Sequence, residues 1–459
     1  MKTKLFSLLL ILLLNTQINA QCIQSINAGS FHTVAIDTNG SLWAWGLNNY
    51  GQLGDNSTIN KDIPTTTIFN SNDFMNISSG TTHNLAVKTN GTLWFWGSNS
   101  NGQRGNGTSS STISPTSTTT FTDWKIAAAG SGYSVALKTN GTLWACGYNN
   151  TGQLGVGSTS DKNVFTQIGS DSNWKSIDTG SEHTIGLKID GTLWAWGSNT
   201  YGRLGDGTTT YKTIPKRIGT DTNWLSISAG YEHTIGLKID GTLWAWGRNY
   251  WGQLGDNTNI NKLTPTQIGT DTNWKSISAG GYHTVAIKTD GTLWTWGYNN
   301  SSQLGDGTTI AKNIPTQIGT DTNWQLISAS THTLALKSDG NLFAWGLNNE
   351  GQLGDGTNIN KSAPTSPLLT YCTSLGIEKV SIKDNSFSIY PNPVKDILHI
   401  QNVTNQVIEK IIITDLAGKK VLEQKGNYKQ INVQQLQQGM YLLQVFSEGK
   451  SSQSKFIKQ

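Results

Sequence analysis

The segment GTLWAWG occurs intact at Gly191–Gly197 and Gly241–Gly247. Five near copies accompany it: GSLWAWG from Gly40, GTLWFWG from Gly91, GTLWACG from Gly141, GTLWTWG from Gly291 and GNLFAWG from Gly340. A spacing of about 50 residues, kept seven times, defines an internal repeat whose units must bury their apolar faces against one another. Most of the 459-residue chain is therefore one array rather than a string of unrelated domains.

Within a unit the pattern is that of strands. In the sixth, WKSISA (Trp274–Ala279) and HTVAIK (His283–Lys288) alternate apolar and polar residues about a Gly-Gly-Tyr turn. Asp290-Gly291 then precedes a third strand, TLWTWG, and Asx-Gly between alternating runs is a strong hairpin signal, expected here as a type I′ turn. A longer loop carrying QLGDGT leads to a short fourth strand expected at Pro315–Ile318. Four short strands per unit, seven times over, predict a seven-bladed β-propeller. A linear solenoid is disfavoured because its end units need atypical caps, and here the first and last units are ordinary.

Cys22 and Cys372 both align with the repeat position of Asn273, seven repeats apart, so closure of the ring would make them neighbours. A Cys22–Cys372 disulfide is expected to fasten it, contributing at most roughly 5–6 kcal/mol. Cys146, the third cysteine, stands where other units have the second tryptophan and reads as a core residue.

The series running from Ala229-Gly230-Tyr231-Glu232-His233-Thr234 to Gly255-Asp256 resembles the repeat of the regulator of chromosome condensation family, over about 350 residues. The resemblance implies seven-bladed propellers. Nuclear members exchange nucleotides through an inserted wedge, for which the even spacing leaves no room. Secreted bacterial propellers of similar pattern include a protein inhibitor of β-lactamases, so the resemblance favours an extracellular binding role.

The ends of the chain read differently. Met1–Ala20 has a basic start and the apolar run Leu5–Leu14, the form of a secretory signal peptide and too short to span a bilayer. Residues 21–372 are expected to form the propeller and 373–384 a linker. From 385 to 459 tryptophan disappears and short strands (SFSIY, DILHI, IEKIIIT, KKVLE, KQINV, GMYLLQVF, KFIKQ) predict a small Ig-like β-sandwich. Tyr390-Pro391-Asn392-Pro393, Ile411–Gly418 and Leu436–Leu443 resemble a type A sorting domain of the type nine secretion system. That resemblance implies a secretion-machinery partner for residues 385–459, and a bacterial product released or held at the outer surface once leader and sorting domain are removed.

Charge restricts the partners further. Residues 21–372 carry 20 Lys plus Arg against 22 Asp plus Glu, whereas residues 373–459 carry 11 against 7. A near-neutral propeller can barely supply the basic face that nucleic acid requires, so no nucleic-acid partner is expected.

His32, His83, His183, His233, His283 and His332 recur near one repeat phase, which suggests six equivalent structural positions rather than a metal site. Asp55, Asp206, Asp256, Asp306 and Asp355 each offer a single carboxylate in a Gly-rich turn, too few for calcium. The connector residues Asp171, Asp221, Asp271 and Asp321 read the same way. No catalytic residue, cofactor or metal is assigned.

Seventeen of the 18 tryptophans sit at repeat phases and serve packing; Trp251 does not. Because blade strands alternate direction, the turn between strands one and two and the loop between strands three and four share a face. That face carries the most variable positions, among them Phe31, Tyr50, Tyr201, Tyr231, Tyr250, Trp251 and Tyr282, which form the expected binding site for an extracellular protein or glycan. A glycan-active enzyme and a structural or adhesive surface component are the alternatives.

Overall fold

The computed structural model describes residues 23–67, 73–367, 387–391, 394–402, 407–415, 419–426, 429–447 and 450–458. The signal segment 1–20, both Cys22 and Cys372, and the linker 373–384 lie outside them. The chain divides into two compact units, residues 1–373 and 374–459.

The first unit consists of seven four-stranded antiparallel sheets in sequence order, over residues 23–66, 74–117, 124–167, 174–218, 224–267, 274–317 and 324–365. In six of the seven blades every residue of the second strand is buried, as in HTIGLK at 183–188 and 233–238. The strand is covered on both faces because blades stack face to face, so its His, Thr and Lys side chains are buried along with its apolar ones. The second tryptophan of the repeat is 0% exposed at Trp45, Trp96, Trp196, Trp246, Trp296 and Trp345. Trp196, for example, packs with Val135, Leu137 and Leu143 of the preceding blade. Truncation of a buried tryptophan of this kind costs about 3–5 kcal/mol. In the third blade Cys146 occupies the tryptophan's place, and Phe165 stands where most blades have proline; its ring packs 5.1 Å from Trp124.

The ring is closed without any covalent link among the described residues. Ile26 and Trp45 of blade 1 share a core with Leu334, Leu342 and Leu353 of blade 7. The Ala28 N–H donates to Ser328 Oγ at 2.9 Å, and the Thr33 hydroxyl donates to the Gln352 carbonyl at 2.8 Å.

Two details differ from the sequence reading. The Asx-Gly turns are not type I′. In the sixth blade only Gly291 takes positive φ (+80°), while its N–H reaches the Lys288 carbonyl at 2.9 Å and Lys288 N–H reaches Thr292 O at 3.1 Å. This is a three-residue loop, a type I turn with a glycine bulge. The Asp290 carboxylate explains the preference, since it accepts both the Thr292 N–H (3.0 Å) and hydroxyl (2.7 Å) and holds Asp290 in the right-handed region. The fourth strand also starts earlier, at Lys312, where Lys312 pairs with Gly297 beyond a bulge and its ammonium reaches Asp306 at 3.5 Å.

The second unit pairs a three-stranded sheet (Phe387–Tyr390, Ile397–Asn402, Gln430–Asn432) with a four-stranded one (Lys410–Asp415, Lys420–Lys425, Gly439–Ser447, Lys450–Lys458). Leu398, Ile400 and Ile431 of the first meet Ile411, Ile413, Leu443 and Phe456 of the second in one core. It is a small two-sheet β domain.

Candidate functional site

The conserved phases of the repeat are occupied with holding blades together. Each histidine ring bonds the next blade: His183 Nε2 lies 3.1 Å from Thr234 Oγ1, His283 2.8 Å from Thr333 Oγ1, and His332 2.7 Å from Thr33 Oγ1. The hydroxyl of each of these threonines is already donated to a backbone carbonyl, for instance Thr234 to Arg203 O and Thr333 to Gln303 O, both at 2.8 Å. The imidazole must therefore be the donor, with the proton on Nε2, and Nδ1 is left buried and bare. Burial drives these rings to low pKa, about 4 for His32 and about 3 for His83, His233, His283 and His332. Neutral, separated imidazoles of this kind are joints between blades.

The loop aspartates are likewise consumed. Asp206, Asp256 and Asp355 lie 2.9–3.0 Å from Lys212, Lys262 and Lys361 and accept from the Asn199, Asn249 and Asn348 amides. The connector aspartates Asp171, Asp221, Asp271 and Asp321 pair with Lys188, Lys238, Lys288 and Lys337, whose ammonium groups sit over the strand tryptophans or, in blade 7, Phe343 and Trp324. Among the described residues no three His, Cys, Asp or Glu side chains converge as a metal site would require.

The repeat breaks at position 203. In six blades a glutamine there accepts, through Oε1, the N–H two residues earlier, as Gln52 does from Tyr50 and Gln253 from Trp251, both at 2.9 Å. Arginine has no acceptor. In blade 4 the loop instead winds into a short 3₁₀ turn, Thr200–Gly202, with Tyr201 at φ +66°, a conformation that costs a non-glycine residue about 1–3 kcal/mol. The buried Arg203 guanidinium donates to the Thr200 carbonyl (3.1 Å), the Tyr231 carbonyl (3.2 Å) and Glu232 (3.3 Å). Glu232 in turn pairs with Arg248. Arg248 lies 4.9 Å from the Tyr201 ring, 5.5 Å from Tyr282 and 5.8 Å from Tyr250.

A run of rings continues from this pair. Tyr231 meets Tyr282 at 5.7 Å, Tyr282 meets Tyr298 at 6.3 Å, Tyr298 meets Trp251 at 4.8 Å, and Trp251 meets Tyr250 at 4.8 Å. Tyr250, the last, is 61% exposed. At the other end Tyr231 spans the channel mouth, its hydroxyl 2.7 Å from Ser30 Oγ of blade 1, and burial raises its pKa. Five of the seven expected site residues are thus brought together on blades 4–6. Phe31 and Tyr50 belong to blade 1 and join no ring contact with them among the described residues. Arg203, Glu232, Arg248 and Tyr298 were missed by the sequence reading; the departure of GRLGD from GQLGD was the available signal.

Inside the ring lies a polar cavity of about 230 Å³, walled by the first strands of all seven blades. At one phase of those strands a side chain accepts the N–H of the next blade: Ser78 from Ala129, Ser228 from Ala279 and Ser278 from Ala329, each at 3.0 Å. Blade 3 has Ala128 there and cannot serve Thr179. Asp178, of blade 4, accepts both its own neighbour Thr179 N–H and Ala229 N–H, each at 2.8 Å. Burial raises this carboxyl to about 6 despite those bonds. Among the described residues it is the single acidic side chain on the cavity wall.

Seven four-stranded blades around a narrow polar channel, with the irregular residues gathered on one loop face, define a β-propeller scaffold. Comparison with known sequences places its repeats. Residues 169–390 match an RCC1-like domain, segments between 23 and 187 match the regulator of chromosome condensation (RCC1) repeat, and residues 388–459 match a secretion system C-terminal sorting domain. The chain belongs to the RCC1-repeat propellers and carries a sorting tail. It is 37% identical over 89 residues to a bifunctional serine/threonine-protein kinase/NEDD4-like E3 ubiquitin-protein ligase of Dictyostelium discoideum, a match of 18% of this chain and 5% of that protein's length. Among solved structures it is similar to human WBSCR16 (TM-score 0.66, 20% identity, 72% of this chain and 94% of that one) and to Prp20p of Saccharomyces cerevisiae (0.63, 19%, 81% and 89%). At these identities the structures establish the fold. The sorting tail marks the chain for type IX secretion-dependent export, so that machinery is a partner.

Proposed function

We propose that this is an exported, non-catalytic binding module that engages a protein or glycan through the loop face of blades 4–6. The observation that carries the reading is the run Tyr231–Tyr282–Tyr298–Trp251–Tyr250 flanked by Arg248. Tyrosine, tryptophan and arginine are the residue types enriched in interface hot spots, which favours a protein ligand. The loop strain at Tyr201 falls on the same patch, as strain at functional surfaces often does.

A catalytic reading is less well supported. Asp178, the one acidic group of the channel, spends both oxygens on backbone donors, and general acid–base hydrolysis of a glycosidic bond needs a second carboxylate nearby. The leader is proposed to end at Ala20 and the sorting domain to be removed after export. An array of extracellular proteins and glycans probed with the full chain tests the binding role. A ligand captured by the native chain and lost with the Tyr250→Ala, Trp251→Ala double variant supports the reading. Capture of a protein ligand undiminished by that variant contradicts the placement, and turnover of an array glycan contradicts the non-catalytic assignment.

A further inference from the structure

Where one blade's loop between strands three and four meets the next blade's turn between strands one and two, the repeat creates a notch on the loop face. At blades 5 and 6 the notch positions carry Arg248, Trp251, Tyr282 and Tyr298, whose rings and guanidinium pack together there. The same four positions between blades 2 and 3 are Ser98, Asn101, Gly132 and Tyr148. With three small residues in place of large ones, the notch remains open as a cavity of about 240 Å³.

We propose that this notch binds a single neutral sugar unit. No lining side chain is charged, which disfavours an anion or a cation, and the wall is too rich in hydroxyls for an apolar guest. The Thr82, Ser98 and Tyr148 hydroxyls and the Asn101 side-chain amide have no protein partner among the described residues, although Ser98 is only 4% exposed. Polar groups held this way gain most from a ligand that brings its own donors and acceptors. The half-buried Tyr148 ring supplies the flat face on which a pyranose stacks. Gly132 has a specific part in this. It sits at φ +79°, and a Cβ there would lie 2.7 Å from Asn101 Nδ2, so any other residue would push the amide from its place on the wall.

The site is separate from the aromatic patch, and the test keeps them apart. Saturation-transfer NMR and calorimetry on the full chain would use the methyl glycosides of glucose, galactose, mannose and N-acetylglucosamine. Saturable binding of at least one is expected, in the millimolar range typical of a single small unit. Asn101→Ala, which removes no intramolecular side-chain bond among the described residues, should weaken it at least about tenfold, and Tyr148→Ala likewise, with unchanged melting temperatures as the folding control. Trp251→Ala should leave it within twofold. Failure of all four sugars to bind, or binding that Asn101→Ala leaves within twofold, overturns the assignment; loss on Trp251→Ala alone would move the sugar to the aromatic patch.

Discussion

At position 203 an arginine stands where six blades have glutamine, and the local consequences are readable atom by atom. Losing the glutamine acceptor releases a loop N–H, Tyr201 turns left-handed, and the guanidinium gathers Glu232 and, through it, Arg248. Arg203→Gln should restore the regular loop. Urea unfolding is expected to show stability unchanged or raised by about 1 kcal/mol as the Tyr201 strain relaxes, while ligand capture on the patch falls; a variant that destabilises the fold by several kcal/mol would contradict this origin of the strain. The histidines make a second prediction. Burial holds the folded pKa values of His32, His83, His233, His283 and His332 at about 3–4, below the unfolded value of 6.5. Their contribution is complete above pH 6.5 and is lost as pH falls toward 3–4, by about 1.4 kcal/mol per pH unit for each ring. His233→Gln keeps a donor toward Thr284 and should lower by about one the number of protons taken up on unfolding near pH 5, as measured from the pH dependence of urea melts. An unchanged slope would mean that His233 is already protonated in the fold. The histidines' structural role could be read from their phase alone. Arg203 could not, because a lone Gln-to-Arg change looks like surface drift until the hydrogen bond it removes is seen.

Among the elements, the strands were legible from alternation and the turns from Asx-Gly, but the turn type was not. Asp290 hydrogen-bonding to Thr292 selects the bulged loop, a local competition that the dipeptide does not reveal. Asp178 escaped notice for a related reason: its work depends on Ala128 in the neighbouring blade lacking an acceptor. Asp178→Ala leaves the Thr179 and Ala229 N–H groups without partners, and two buried donors so exposed cost together about 2–4 kcal/mol. Thermal unfolding at neutral pH should show that loss, whereas Ser228→Ala, which orphans one donor, should cost about half as much. Equal effects from the two would contradict the double role of Asp178.

For the whole molecule, period and count were enough to give a closed seven-bladed ring, because seven equivalent apolar faces can all be covered only if the last meets the first. The cores shared by blades 1 and 7 show that closure is non-covalent where the chain is described. The Cys22–Cys372 bond remains a proposal, and peptide mapping without reductant should recover the two cysteines as one cross-linked pair; free thiols at both positions would refute it. The ligand face was legible only as a side of the disc, since the repeat alignment shows which positions vary but not which variants touch. Hydroxyl-radical footprinting, with and without the ligand captured from the array, reads that distinction directly. Protection should concentrate on Tyr201, Tyr250, Trp251, Tyr282 and Tyr298, with Tyr50 of blade 1 oxidised as in the free chain. Protection spread evenly over all seven blades, or centred on the opposite hairpin face, would contradict the claim that recognition lies where the repeat is broken.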